Sequence, residues 1–372
     1  MAFSVPSAST TRLEFASNEV TGAIGDSITA LPLIVALALL TDVSLPHVLV
    51  AFGVFQVVWG VWYGLPISVE PMKALAALAI AGALTYAELA LAGLILGVLL
   101  LAMGLSGTLA RLERWIGEPV VRGVQLAVAL VLLETGVRLV VVDVVVAAAG
   151  AGIALAVVLL GFRNASAVVV LAVGLGVAVY SAGLPTPSAP GSPPVPLAPR
   201  ASGVGAALTL GTLDGVVAQL AMTVGNAALA TSLLFADRFG ADVSPDELST
   251  SMGVTNLLAV PAGGIPMCHG CDGVAGKHAF GARTGGANVV LGAGYLGAAL
   301  VATTALLVAF PLAMLGVLLA IVSVSLGRSV LRSSNLALSV AIGAMALVTN
   351  LGVAFVAGVL VHLVLRRRAR GI

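Results

Sequence analysis

Apolar runs as long as a membrane-crossing helix follow one another along nearly the whole chain, separated by short polar breaks. They predict helices at roughly 20–41, 47–62, 68–83, 87–109, 119–139, 143–161 and 165–183. A second set falls at roughly 208–236, 246–260, 268–281, 285–309, 311–327, 329–346 and 349–365. These runs lack the every-other-residue alternation of a membrane barrel. Between the sets, residues 184–200 hold seven prolines, which make an extended spacer and not a helix. The pattern predicts an all-α polytopic membrane protein of about 14 segments, with seven in residues 1–183 and seven in residues 201–372.

Two predicted segments are interrupted. Tyr63-Gly64-Leu65-Pro66-Ile67-Ser68-Val69-Glu70-Pro71-Met72-Lys73 puts two prolines, a glutamate and a lysine where a spanning helix would carry leucine. A charge at bilayer depth costs about 2.5–3.5 kcal/mol even on the lenient insertion scale. Proline there frees backbone groups that lipid cannot satisfy. Sliding the chain on itself by 200 residues aligns this stretch with Pro266-Met267-Cys268-His269-Gly270. The same shift sets Gly25-Asp26 on Gly225-Asn226, Asp42-Val43-Ser44 on Asp242-Val243-Ser244, Gly53-Val54 on Gly253-Val254, Gly64 on Gly264 and Pro66 on Pro266. An odd number of segments separates the copies, so the two halves are expected to face opposite ways. Inverted repeats with helices broken at matching places mark secondary transporters that bind substrate near the midplane.

Composition agrees: 60% of residues are hydrophobic and 9% charged, with a mean hydropathy of +1.15. A net charge of +1 argues against nucleic acid as a partner. With the N-terminus inside, the cytoplasmic side collects Arg12, Arg111, Arg114, Arg122, Arg163, Arg238, Lys277, Arg283, Arg328, Arg332 and the terminal Arg366, Arg367, Arg368 and Arg370. That is 14 of 17 basic residues; Arg138 and Arg200 fall outside, and Lys73 lies within the membrane. The asymmetry satisfies the positive-inside rule and predicts a cytoplasmic membrane protein with both termini cytoplasmic. No cleavable leader pattern precedes the first run, so that helix is expected to stay. Trp59, Trp62, Tyr63 and Trp115 lie near predicted segment ends and read as interfacial anchors.

Both interrupted segments are expected to start helices inside the bilayer, with Pro71 in a first turn, where its missing N–H is harmless. Inversion then points two helix N-termini at each other, each with unbonded N–H groups and about half a positive charge. Such a pair suits an anion. Ser68, Val69, Cys268, His269 and Gly270 form the breaks, and Lys73 lies three residues beyond Glu70 on one helix face. Glu70 and Lys73 either neutralise each other or line the substrate site. Asp26 and Thr29 in the first segment, and Gln219 and Asn226 in the eighth, are further substrate-binding candidates, although such residues also bond neighbouring helices. Glu70, Asp26 and His269 are the candidate proton carriers. Cys268 and Cys271 have a Cys-x-x-Cys spacing, which admits a metal or redox reading, but no second pair accompanies it. No metal or cofactor is expected.

The stretch Gly64 through Ala74, the stretch Pro266-Met267-Cys268-His269-Gly270 through Phe280-Gly281-Ala282-Arg283-Thr284-Gly285, and the opening Gly25-Asp26 through Leu31-Pro32-Leu33 resemble the molybdate transporter family, a branch related to the SulP sulfate permeases. The resemblance implies the sulfate/nucleobase-permease-type fold. In that fold segments 3 and 10 are half-helices, segments 1–4 and 8–11 form a core domain, and segments 5–7 and 12–14 form a gate domain. It also implies uptake of a tetrahedral oxyanion, molybdate first, with sulfate or tungstate as alternatives, and a homodimer. Two departures stand out: Glu70 replaces the family's usual glutamine, and Cys271-Asp272-Gly273 replaces small residues. The soluble regulatory domain of many SulP proteins is not expected after the last segment. No nucleotide-binding loop is present, so coupling to protons is expected. An uncoupled anion channel, a nucleobase permease and an enzyme built on the two cysteines are the competing classes.

Overall fold

The structure is a computed structural model and describes residues 13–109, 115–193 and 201–369. Arg12, Arg111, Arg114, Arg200 and Arg370, and residues 194–200 of the linker, lie outside the described residues. The first half carries helices α1 (Ser17–Leu40), α2 (Leu45–Tyr63), α3 (Lys73–Ile80), α4 (Tyr86–Ser106), α5 (Glu118–Val140), α6 (Val144–Leu159) and α7 (Ser166–Ala182). The second carries α8 (Leu210–Phe239, with a π-helical stretch over Thr223–Ala230), α9 (Pro245–Ala259), α10 (Cys271–Ala279), α11 (Gly286–Val301), α12 (Leu312–Gly327), α13 (Leu336–Val348) and α14 (Leu351–Ala369). Among the described residues, seven helices are long and apolar enough to cross a membrane. Residues 184–193 of the linker are not helical, as their prolines require.

Packing exchanges the two halves. α2 packs on α11, and α9 packs on α4; α1 packs on α10, and α8 on α3; α5 packs on α12. Swapping the halves turns each pairing into its partner, or into itself for α5 and α12. A two-fold relation between the repeats demands this. The matched Asp-Val-Ser stretches explain themselves as helix starts. Ser44 precedes α2 and Ser244 precedes α9, where its hydroxyl accepts the Glu247 N–H at 3.1 Å. α1 and α10 touch through backbone: a methyl group on Gly25 would run into the main chain of Gly276 and Lys277.

The breaks lie where expected, but the helices begin later. Pro71 is not in a first turn. It lies in strand β1 (Glu70–Pro71), which pairs antiparallel with β2 (Met267–Cys268), Glu70 opposite Cys268 and Pro71 opposite Met267. Met72 N–H then donates to Pro266 O at 2.9 Å, so the crossing strands satisfy each other before α3 and α10 start. Two further boundaries move. The segment expected at 329–346 opens with a 3-10 turn over Arg328–Arg332, and its helix starts at Leu336, where Asn335 Oδ1 accepts Leu338 N–H at 3.0 Å. The segment expected at 285–309 breaks after Val301.

Side chains hold what the strands do not. Gln56 Nε2 donates to Asp26 Oδ2 at 2.7 Å and to Val69 O at 3.2 Å. Asn288 Nδ2 donates to Ile67 O at 2.7 Å and to Gln56 Oε1 at 2.6 Å. At the second break, Asn256 Nδ2 donates to Met267 O, and its Oδ1 accepts Met267 N–H, both at 2.8 Å. Lys277, expected on the cytoplasmic surface, is instead wholly buried in α10. Its Nζ donates to Ile67 O at 2.6 Å, Gln56 Oε1 at 2.9 Å and Asn288 Oδ1 at 3.1 Å, and pairs with Asp26 Oδ2 at 3.1 Å. Charge counting along the sequence could not see that an ammonium faces the first break.

Removing one member of a buried pair strands the other, at about 3–5 kcal/mol. Lys277→Met is expected to destabilise the protein by that order, read as a lowered thermal unfolding midpoint in detergent. Adding Asp26→Asn should restore most of the loss. A Lys277→Met single variant as stable as wild type would show that the pair does not hold the break.

Candidate functional site

Glu70 leaves β1 with no exposed surface and becomes the centre of a polar cluster. Its Oε2 lies 2.9 Å from Lys73 Nζ, at the start of α3, and accepts from Thr29 Oγ1 of α1 at 3.4 Å. Its Oε1 accepts from Ser68 Oγ at 3.0 Å and from Gly273 N–H, in the first turn of α10, at 3.1 Å. A backbone N–H at a helix start, a hydroxyl and an ammonium are what a carboxylate or any other oxyanion requires. Ser68 Oγ is also 2.6 Å from Asp26 Oδ1, so one hydroxyl faces two carboxylates. Val69 N–H points at Asp26 Oδ2 at 3.4 Å. Lys73 Nζ reaches a second acid, Asp272 Oδ2, at 3.1 Å.

The structure therefore brings together Asp26, Thr29, Ser68, Val69, Glu70 and Lys73. Gly270 belongs with them by absence of a side chain: a Cβ there would collide with the Glu70 carboxylate. A cavity of about 360 Å³ reaches this cluster. Thr29, Lys73 and Asp272 line it, as do Asn164, Ser325 and Ser329. Asp272 marks the boundary, its side chain 53% exposed while Glu70 is at 0%.

Other candidates stand apart from the cavity. Gln219 supports α3 from behind, its Oε1 accepting Ala74 N–H at 2.9 Å and its Nε2 donating to Thr223 Oγ1 at 3.1 Å. Neither half-helix start is thus left wholly unbonded: Gln219 takes a donor of α3, and Glu70 takes one of α10. Asn226 lines a different cavity, of about 200 Å³, with Glu118, Arg122 and Gln125. His269 ties the two breaks together, with Nδ1 2.8 Å from Ser68 O and Nε2 2.8 Å from Ser251 Oγ. A carbonyl only accepts, so Nδ1 carries a hydrogen. Cys268 Sγ lies 3.9 Å from Pro71 O. Among the described residues, no group of three His, Cys, Asp or Glu side chains could hold a metal ion.

Two aromatic assignments change. Trp59 and Tyr63 are not interfacial anchors. Trp59 Nε1 donates to Thr255 Oγ1 at 2.7 Å, Tyr63 OH donates to Ser251 Oγ at 2.9 Å, and both rings stand edge-on to His269. A tryptophan near a helix end reads as an anchor until the neighbouring helix is known. Sequence reading also missed Lys277, Gln56, Asn288 and Asn256. One signal was available: the 200-residue shift sets Gln56 on Asn256, the two amides that hold the two breaks.

A family model described as "Molybdate transporter of MFS superfamily" matches residues 18–132 and 211–326, one block in each half. Among curated proteins, "Molybdate transporter 1" of Arabidopsis thaliana is 30% identical over 417 residues, covering 97% of this chain and 91% of that protein. "Molybdate transporter 2" of the same plant is 28% identical over 364 residues, covering 84% of this chain and 78% of that protein. Among solved structures, the transmembrane domain of the cyanobacterial bicarbonate transporter BicA superposes with a TM-score of 0.63 at 16% identity, covering 94% of this chain and 96% of that one. SLC26A9 superposes at 0.68 and 12% identity, covering 93% of this chain and 64% of that one. At such identities these two speak for the fold alone, and the fold is the inverted-repeat architecture that the exchanged pairings describe. Sequence and architecture agree: this chain belongs to the molybdate transporter family.

Proposed function

We propose that this protein takes up a tetrahedral oxyanion, molybdate first and sulfate or tungstate next, by secondary active transport. The observation that carries the reading is the convergence of Lys73 Nζ, Ser68 Oγ, Thr29 Oγ1 and Gly273 N–H on the Glu70 carboxylate, with Lys73 and Thr29 also lining a cavity. Family membership and the named activity of the relatives support molybdate among tetrahedral anions. Asp26, Thr29, Ser68, Val69, Glu70, Lys73 and Gly270 form the site in this reading. Cys268, His269 and Gln219 hold it in shape, and Asn226 lies outside it. The helices divide into the core (α1–α4 and α8–α11) and the gate (α5–α7 and α12–α14), which rock against each other. The transporter is taken as a homodimer of the cytoplasmic membrane with both termini inside, the orientation that the basic residues favour.

Coupling follows from charge. Moving one charge against the potential costs about 2.3 kcal/mol per 100 mV, and a dianion entering a negative cell faces roughly twice that. Protons are the proposed coupling ion and Glu70 the proposed carrier. Asp26 is committed to Lys277, Gln56 and Ser68, and His269 has both ring nitrogens engaged. Glu70 alone shares its partners with the cavity lining.

In proteoliposomes, labelled molybdate uptake is expected to rise with an inward proton gradient and collapse with a protonophore; uptake indifferent to both removes the coupling. Lys73→Gln takes away the one ammonium that, among the described residues, lines the cavity. A charge-assisted hydrogen bond is worth about 1.5–3 kcal/mol, so molybdate affinity should fall about ten- to a hundredfold in a binding titration. Unchanged affinity would place the anion elsewhere.

A further inference from the structure

The donors that would receive an oxyanion at the first break are already turned on a carboxylate of the protein itself. Glu70 Oε1 takes the Gly273 N–H and the Ser68 hydroxyl; Oε2 takes Lys73 Nζ and the Thr29 hydroxyl. The fit is built from both sides. A Cβ at Gly270 would land on the Glu70 carboxylate, and one at Gly273 would strike the Ser68 hydroxyl and an Asp26 oxygen. A carboxylate that only neutralised Lys73 would need the ammonium. It would not need a first-turn N–H of the opposite half-helix.

We propose that the Glu70 carboxylate is a tethered competitor of the transported oxyanion: it is the resting ligand of the site and yields the donors by taking up a proton when the oxyanion binds. The proposal rests on the oxyanion reading above and adds a competition to it. The proton is taken from the buffered solution, whose conjugate base is left behind, and stays on the carboxyl. No covalent bond to the substrate forms or breaks.

The charges that face Glu70 explain why it must yield. α1 presents Asp26 and the Thr29 hydroxyl, the first break presents Ser68, β2 presents the Cys268 thiol, α3 presents Lys73, and α10 presents Asp272 and Lys277. Asp26, Glu70 and Asp272 against Lys73 and Lys277 leave a net charge of −1 (three carboxylates, two ammoniums). A dianion would raise that to −3 while Glu70 stays ionised, and would meet donors already in use. With Glu70 protonated, the site is neutral before substrate arrives, and the Lys73 ammonium, the Thr29 hydroxyl and the Gly273 N–H can turn to the anion. Like-charge juxtaposition of this kind opposes binding.

The test is molybdate binding to the purified full chain by titration calorimetry, for wild type, Glu70→Gln and Glu70→Asp, at several pH values and in buffers of different ionisation enthalpy. Wild type is expected to bind more tightly as pH falls and to take up protons on binding. Glu70→Gln, nearly isosteric and uncharged, should bind at least about tenfold tighter near neutral pH, with no pH dependence and no proton uptake. Glu70→Asp keeps the charge beside Lys73 but falls short of Gly273, so it too should bind tighter than wild type; a mere ion-pair role would leave its affinity unchanged. Wild-type binding that ignores pH overturns the proposal without recourse to any variant. So does a Glu70→Gln variant that binds no tighter. Those outcomes leave the oxyanion reading standing, whereas failure of wild type and Glu70→Gln alike to bind molybdate, sulfate or tungstate sinks that reading and the competitor with it.

Discussion

A bare peptide group has no partner in a lipid interior, and this constraint organises the whole molecule. Two chain segments stop being helical between the apolar helices, at residues 64–72 and 260–270. Their exposed carbonyls and N–H groups must be met by protein. The crossing strands meet some of them, through Glu70–Pro71 against Met267–Cys268. Gln56, Asn288, Lys277 and Asn256 meet others. Every one of these side chains is itself buried and polar, so each needs further partners. The network therefore spreads to Asp26, Ser68 and His269 until its demands close. The site's polarity is first a consequence of broken helices, and transport chemistry then has buried donors available.

That order explains why so few of the polar residues near the breaks need touch a substrate. Lys277 is fully buried and shared among four oxygens, which leaves it nothing to offer an anion. His269 spans from one break to the other and holds their spacing. Lys73 differs. It has two carboxylate partners, one buried and one half in the cavity, and it lines the cavity wall. An ammonium between a buried and an exposed acid can exchange one of them for an arriving anion at modest cost. The buried Lys277 cannot.

Much of this was legible in the sequence, for physical reasons that differ by element. The long apolar runs became helices because a lipid-facing segment has no alternative that satisfies its backbone. The two breaks were legible because proline and charge are too costly at that depth to be accidental. The repeat was legible because glycine, proline, aspartate and serine at helix starts and crossings are not interchangeable with alanine or valine. Three-dimensional neighbours were not legible. Lys277 lies in a glycine- and alanine-rich stretch beside His278 and close to Arg283, and counts as one more cytoplasmic cation until α10 is placed against α1. Trp59 and Tyr63 have the spacing of a membrane-surface belt, and only their hydrogen bonds to Thr255 and Ser251 of α9 show that they pack against the protein interior. Pro71 obeys the rule for a helix start. It was claimed by a strand because Met267, some 200 residues away, offered a ladder partner.

The repeat also explains why the two breaks build one polar cluster between them and not two equivalent ones. The 200-residue shift lays Glu70 on Gly270 and Lys73 on Gly273. Those glycines are the positions where a side chain would strike Glu70, Ser68 or Asp26. The two halves thus meet as projection and hollow: at these two positions one break carries a glutamate and a lysine, and its mate carries glycines that admit them. A strictly symmetric pair would be either two charged starts in collision or two glycine starts with a gap between. Asymmetry at these two positions converts a pair of equivalent helix ends into a single cluster with a carboxylate, an ammonium and an opposing backbone N–H. The inverted repeat supplies the opposed geometry, and the departure from it supplies the chemistry.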